Sequence, residues 1–322
     1  MSDERGLGLV VVGDAHLTLG ATGPLEEAAS FRRTLGGDAV LTAIVAARAG
    51  VEVALVTRVG EDPFSDWMLQ SFEAEGLHLD YTRQVAGPSP LLLVGAGHEG
   101  RQSARYVGGA AAATMEPADL ADIPWDLVRL LFVAGSFQSL GPEQRRTAVA
   151  AFETARGAGV RTVHDPALVP GLWSRDDQAQ ARAAFESLLP HTDLLILTAP
   201  YASGRLLGRP LAAEAAEEAR LRGVAAVVVR HADGSAVVAE QRELHRLEAP
   251  ADRAGLGDPS RPAIFDGVLL AALGSGLPLL AATELALAAD RATPPGPREL
   301  GSLPDAARLA GNLGIASTPS RR

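Results

Sequence analysis

The chain has 322 residues, with 29 basic against 39 acidic side chains and a formal net charge of -10 at pH 7. Every basic residue is an arginine and there is no cysteine, which excludes a lysine Schiff base, a phosphate-loop lysine, thiolate nucleophiles, disulfides and zinc–cysteine sites. The acidic balance argues against a nucleic-acid partner, and 47% hydrophobic residues supply a core that a disordered chain lacks.

The length fits two domains or one large α/β domain. The first residues, MSDERGLGLVVVGD, are unlike a secretory signal peptide. The longest apolar runs, 224–229 and 277–282, fall far short of the ~20 residues of a spanning helix. A soluble, cytoplasmic protein without a membrane partner is the default expectation.

In chain order, residues 7–14 (LGLVVVGD) read as a buried strand ending in a polar residue. Residues 40–50 read as a helix closed by Gly50, and 51–60 as a strand. Residues 62–76 carry Phe64, Trp67, Met68 and Phe72 at helical spacing, with Gly76 at the end. Strand, helix, strand recur over 127–135, 142–159 and 160–165, and again over 192–199, 212–223 and 224–234. Continuous apolar strands separated by helices predict a parallel sheet covered on both faces. Two polar, glycine-containing stretches, about 15–35 and 81–110, break the alternation and predict a small β lid built from two insertions. Proline and glycine crowd the tail from Thr293.

Chemistry concentrates at strand ends and glycine pairs. Asp252-Arg-Ala-Gly-Leu-Gly-Asp258 leads into the apolar run Ala263–Leu273. Glycines before a helix expose backbone N–H groups, and the helix N-terminus favours negative charge. An aspartate there can accept a hydroxyl proton while the amides hold a developing phosphoryl charge. Equally, Asp258 can serve only as an N-cap ahead of Pro259. Gly36-Gly37 is either a tight turn or a close backbone approach to a ligand. Asp14 and Asp165 each follow a strand, at the end where α/β sheets bind ligands, or act as turn residues. His164 and Asp165 are neighbours on a strand and point apart. The histidines show no metal-binding spacing, so no metal-ligating residue is assigned.

Taken in order, these pieces resemble the PfkB (ribokinase-like) carbohydrate kinases, nearest to the 2-keto-3-deoxygluconate kinase and fructokinase branch. The resemblance is carried by GD after the first strand, GG before a helix, GVEVALVTRVGEDPF, ARYVGGAAAATMEPADL, LFVAGSF, DPALVPGLW and AGLGD, and spans nearly the whole chain. It implies a three-layer α/β/α fold over 1–322, with a mostly parallel central sheet and the lid. It also implies transfer of the ATP γ-phosphoryl group, with Mg2+, to a sugar or small polyol hydroxyl. Asp258 would be the base and the amides of Gly255, Leu256 and Gly257 the anion hole. Asp14, Gly36, Gly37, Tyr106 and Asp165 would contact the sugar, and Arg230 and Gly234 the nucleotide. A homodimer through the lid is a further implication. Against the family pattern, Leu41 stands for an asparagine, and Ala167 and Val169 for an asparagine and an arginine. Gly108 stands for another arginine, and Ala199 and Ala202 for the NxxE pair. Arg253 and Leu256 alter the glycine signature, and Pro-Ser-Arg-Pro follows Asp258 as an insertion of about four residues. These losses weigh against a carboxylated sugar acid. They leave open a second reading, a catalytically impaired relative that binds a small ligand or a protein partner.

Overall fold

The computed structural model describes residues 6–96, 102–107, 111–168, 173, 178–231, 233–249, 262–293 and 303. Its strands are β1 Leu9–Val12, β2 His16–Gly20, β3 Arg32–Gly36, β4 Val53–Gly60, β5 Thr82–Val85, β6 Leu91–Ala96, β7 Gln102–Val107, β8 Leu130–Ala134, β9 Arg161–Asp165, β10 Leu194–Ala199, β11 Ala226–His231, β12 Ala236–Glu240 and β13 Glu243–Leu247. The helices are α1 Asp38–Arg48, α2 Ser65–Ala74, α3 Gly135–Gln138, α4 Pro142–Gly157, α5 Gln178–Leu188, α6 Tyr201–Leu207, α7 Ala212–Leu221, α8 Pro262–Gly274 and α9 Leu279–Ala292.

Nine strands form one sheet in the order β13-β12-β11-β10-β9-β8-β1-β4-β5. Every pair from β11 to β5 is parallel, and only the β11–β12 and β12–β13 pairs are antiparallel, so β12 alone runs against the rest. The continuous apolar strands are explained by burial on both faces. In β1, Leu9 and Val11 join a core with α1, α2, α8 and α9, whereas Val10 and Val12 face a second core with α4. The same period of two splits β10 and β11: Leu194, Ile196, Ala226 and Val228 turn to the first face. Leu195, Leu197, Val227 and Val229 turn to α6 and α7.

A separate four-stranded sheet, β3-β2-β6-β7, is the lid. β2 pairs antiparallel with β3, His16 opposite Gly36, and parallel with β6. β5 departs from the expectation for 81–110. It pairs in parallel with β4 as the edge of the main sheet, Thr82 opposite Thr57. The lid therefore takes only β6 and β7 from that stretch. Its sequence, TRQV, is polar and half exposed, so it lacks the apolar run that marks the central strands.

Candidate functional site

The candidate residues gather where the carboxyl ends of β1, β9 and β11 meet the first turns of α1 and α8. Asp14 follows β1 and is 5% exposed. Its Oδ2 stands 3.2 Å from His16 Nδ1, while its buried Oδ1 has no hydrogen-bond partner among the described residues. Gly37 caps α1 with φ 111°, a left-handed conformation that costs glycine little. A Cβ there would strike the Asp14 carbonyl oxygen, and a Cβ on Gly36 would strike the His16 ring and Thr18 Oγ1. Both glycines are required by close approach within the protein: a tight turn with its backbone pressed against Asp14 and the root of β2.

His16 was not a candidate from the sequence. The pattern Asp14-Ala-His16 places both polar side chains two residues apart, so they share one side of an extended chain. That spacing was the available signal.

Asp165 and Arg230 come together from strands on either side of β10. Arg230 Nη2 donates to Asp165 Oδ2 at 3.1 Å, and Asp165 Oδ1 accepts from the Ala167 N–H at 2.7 Å. Asp165 thereby shapes the turn in which Ala167 adopts φ 41°. Both residues are buried, at 2% and 7% exposed. The Arg230 guanidinium lies 5.1 Å from the Phe265 ring centroid, a distance at which the ring face attracts the cation. Asp266, the next residue of α8, is 2% exposed and also faces this pair. His164 points the other way, between Phe152 and Phe185, as neighbours on a strand must.

The remaining expectations fall as follows. Tyr106 is in β7, opposite Leu92. Gly234 turns the chain between β11 and β12 with φ 85°, its N–H donating to the His231 carbonyl. Leu41, Ala199 and Ala202 are all buried in apolar cores. Asp258, Gly255, Leu256 and Gly257 lie outside the described residues, as do Gly108, Val169, Arg253 and the Pro-Ser-Arg-Pro insertion. Among the described residues no three His, Asp or Glu side chains converge as a metal site, and no helix is long and apolar enough to cross a membrane.

A mostly parallel sheet between two helical layers, with a lid rooted beside a buried aspartate, is the ribokinase-like α/β architecture. A family model described as pfkB family carbohydrate kinase matches residues 8–290, and the chain belongs to that family. The 2-dehydro-3-deoxygluconokinase of Escherichia coli K12 is 26% identical over 200 residues, covering 59% of this chain and 62% of the relative. The alignment thus spans about three fifths of that relative's length. The PfkB protein from Polaromonas sp. JS666 superposes with a TM-score of 0.82 at 24% identity, covering 94% of this chain and 99% of its own. A fructokinase with bound ATP from Xylella fastidiosa gives a TM-score of 0.79 at 17% identity, covering 96% and 99%. At these identities the structural likeness establishes the fold alone.

Proposed function

We propose that the chain is an ATP-dependent kinase for the hydroxyl of a neutral sugar or small polyol. One observation carries the reading: Asp14 Oδ1 is buried without a partner among the described residues, beside the Gly36-Gly37 turn. A buried carboxylate oxygen left unbonded is costly, and an acceptor hydroxyl satisfies it by donating a hydrogen bond. His16 holds the other oxygen, so Asp14 presents Oδ1 in one orientation. The family membership and the ATP named for a structural neighbour support the donor assignment.

In this reading Asp258 removes the acceptor proton, and the amides of Gly255, Leu256 and Gly257 stabilise the charge that develops on the transferred phosphoryl. Phosphoryl transfer depends on positioning and electrostatic stabilisation, so a chain without lysine or cysteine can perform it. Magnesium would be carried by the nucleotide phosphates and water, since Asp165 already accepts bonds from Ala167 and Arg230. Against a sugar acid, Gly108 and Val169 stand where the family pattern has arginines, and Arg230 is paired with Asp165.

The test is ATP turnover over a panel of sugars, polyols and sugar acids. A neutral acceptor is expected to turn over. Asp258→Asn should then lower kcat by at least ~10²-fold, and Asp14→Asn should raise the acceptor KM by about tenfold, the value of one charge-assisted hydrogen bond. No turnover with any acceptor refutes the proposal. The second reading, a ligand-binding relative without catalysis, is favoured by Ala199 and Ala202, whose places in the resemblance belong to the NxxE pair and which are buried in apolar packing. Calorimetric ATP–magnesium binding accompanied by sugar phosphorylation rejects it.

A further inference from the structure

Asp62 belongs to the GEDPF run, in the turn between β4 and α2. Both of its carboxylate oxygens are taken by backbone amides. Oδ1 accepts from the Phe64 N–H at 2.7 Å, just ahead of α2, and Oδ2 accepts from the Ser89 N–H at 2.6 Å, just ahead of the lid strand β6. Ser89 is buried, and its hydroxyl accepts the Gly60 N–H at 2.9 Å. The Glu61 N–H donates to the Gly87 carbonyl at 2.9 Å. A Cβ on Gly60 would strike the Gly87 carbonyl oxygen and the Ser89 nitrogen, so the two turns meet backbone to backbone. The Asp62 bonds are charge-assisted and so about twice as strong as the neutral ones around them.

This joint reaches the site through the next residue. Pro90 follows Ser89, and its carbonyl accepts the Leu17 N–H at 2.9 Å. Leu17 adjoins His16, whose Nδ1 stands 3.2 Å from Asp14 Oδ2. The start of β2 is therefore hung from the same chain that Asp62 holds. The neighbouring strand is held by the same part of the body. The Arg33 guanidinium of β3 lies 4.0 Å from the ring centroid of Trp67, in the first turn of α2, within reach of a cation–π attraction. Arg33 precedes Gly36 in the same short strand. Both strands that run into the Asp14 and Gly36-Gly37 turn are thus fastened to the segment from Asp62 to Trp67.

We propose that Asp62 is a positioning residue for Asp14, acting through Ser89, Pro90 and Leu17 to fix the start of β2 against the end of β4. Asp62 does not touch the acceptor. Its carboxylate sets where the lid is rooted, and the root sets where Asp14 presents Oδ1. The effect on the acceptor rests on the sugar-kinase reading; the joint itself does not.

Asp62→Asn is the test, because it keeps the shape and spoils the chemistry. Each oxygen of Asp62 accepts an N–H, and an asparagine has one acceptor, so its NH2 faces one of the two amides donor to donor. In amide exchange on the full chain, the Leu17 N–H should exchange at least about tenfold faster in Asp62→Asn, while the amides of β1 stay within about twofold of the wild type. Equal acceleration of both means general destabilisation and overturns the proposal, as does an unchanged Leu17. With an acceptor that turns over, Asp62→Asn should raise its KM about fivefold and leave the KM for ATP within about twofold. A protein that is only less stable loses kcat through its active fraction with neither KM moved; that pattern overturns the proposal. In the Asp14→Asn background the same change should raise acceptor KM by less than about twofold, because the two residues act in series. A further rise of about fivefold there, the value for independent sites, also overturns it. If no acceptor turns over, the kinase reading falls and the exchange of Leu17 alone decides the joint. Should Asp62→Asn fail to fold, Ser89→Ala carries the test. It removes only the acceptor of the Gly60 N–H, and should speed Leu17 exchange about threefold against unchanged β1; no change overturns the proposal.

Discussion

Two glycines in α8 should respond to the same substitution with opposite signs. A Cβ on Gly267 would stand 2.6 Å from Val45 Cβ, 2.7 Å from Val45 Cγ1 and 2.8 Å from the Thr42 carbonyl oxygen. Carbon atoms sit comfortably at about 3.5–4.0 Å, so α8 and α1 must part by about 1 Å. Neither neighbour can swing away: Val45 is β-branched and stiff at χ1, and the other contact is backbone. Overpacking of this kind costs ~1–3 kcal/mol, and a clash that includes backbone belongs to the upper half. Alanine returns up to ~1 kcal/mol of helix propensity. The net for Gly267→Ala is a loss of about 1–2 kcal/mol. On Gly274 the nearest atoms are Leu130 Cδ1 and Val51 Cγ2, both at 3.8 Å, which is ordinary contact. Gly274→Ala therefore keeps the propensity gain, reduced at the helix end to ~0.5 kcal/mol. An unfolding entropy of ~2.1 cal/mol/K per residue makes each kcal/mol worth about 1.5 °C in a chain of this length. Gly267→Ala should melt about 2–3 °C below the wild type and Gly274→Ala about 1 °C above it, with urea midpoints moving in the same directions. A Gly267→Ala protein as stable as the wild type would refute the close packing of α1 on α8.

His164 is fully buried, and desolvation takes its pKa from 6.5 down to about 4, outweighing the pull of Asp165. The unfolded chain therefore binds one more proton between those values, and stability contributed by neutral His164 is lost as pH falls from 6.5 toward 4, by roughly 3 kcal/mol in all. His164→Phe should flatten that acid limb in pH-dependent urea unfolding; an unchanged limb means the ring is not responsible. Arg48 donates to Glu75 at 2.6 and 2.7 Å and to the Leu303 carbonyl at 3.1 Å. Arg48→Ala should cost about 1–3 kcal/mol and speed proteolysis of the chain beyond α9. A loss under about 0.5 kcal/mol in urea unfolding would show the pair to be no more than a surface contact.

The parallel sheet was legible because its strands are buried on both faces, which writes continuous valine and leucine runs into the sequence. Leu9–Val12 and Leu194–Leu197 are such runs. The helix of 40–50 is found as Asp38–Arg48, a shift of two residues at each end, the usual reach of end effects. β5 was not legible as a sheet edge, since an exposed edge strand has no apolar signature. Asp14, Asp165 and the glycine pair stood out because strand ends and tight turns restrict residue type locally. The links among them did not, because Asp165 and Arg230 are 65 residues apart and only the register of three strands brings them into reach. Asp266 had a signal that an average over the segment hides: one carboxylate inside an apolar helix has to be neutral, paired or both.

The register of the lid has a mechanical consequence. β2 starts two residues after Asp14, and its first residue, His16, lies opposite Gly36, the last residue of β3. The base of this hairpin is thus the same piece of chain that packs against Asp14. Five residues of strand make an arm of about 17 Å, so a sideways displacement of about 2 Å at the tip amounts to roughly 7° at the base. Gly36 and Gly37 have no room for a side chain to cushion that rotation. A displacement at the outer end of the arm therefore turns the chain beside Asp14 as well, with no side chain between them to absorb it.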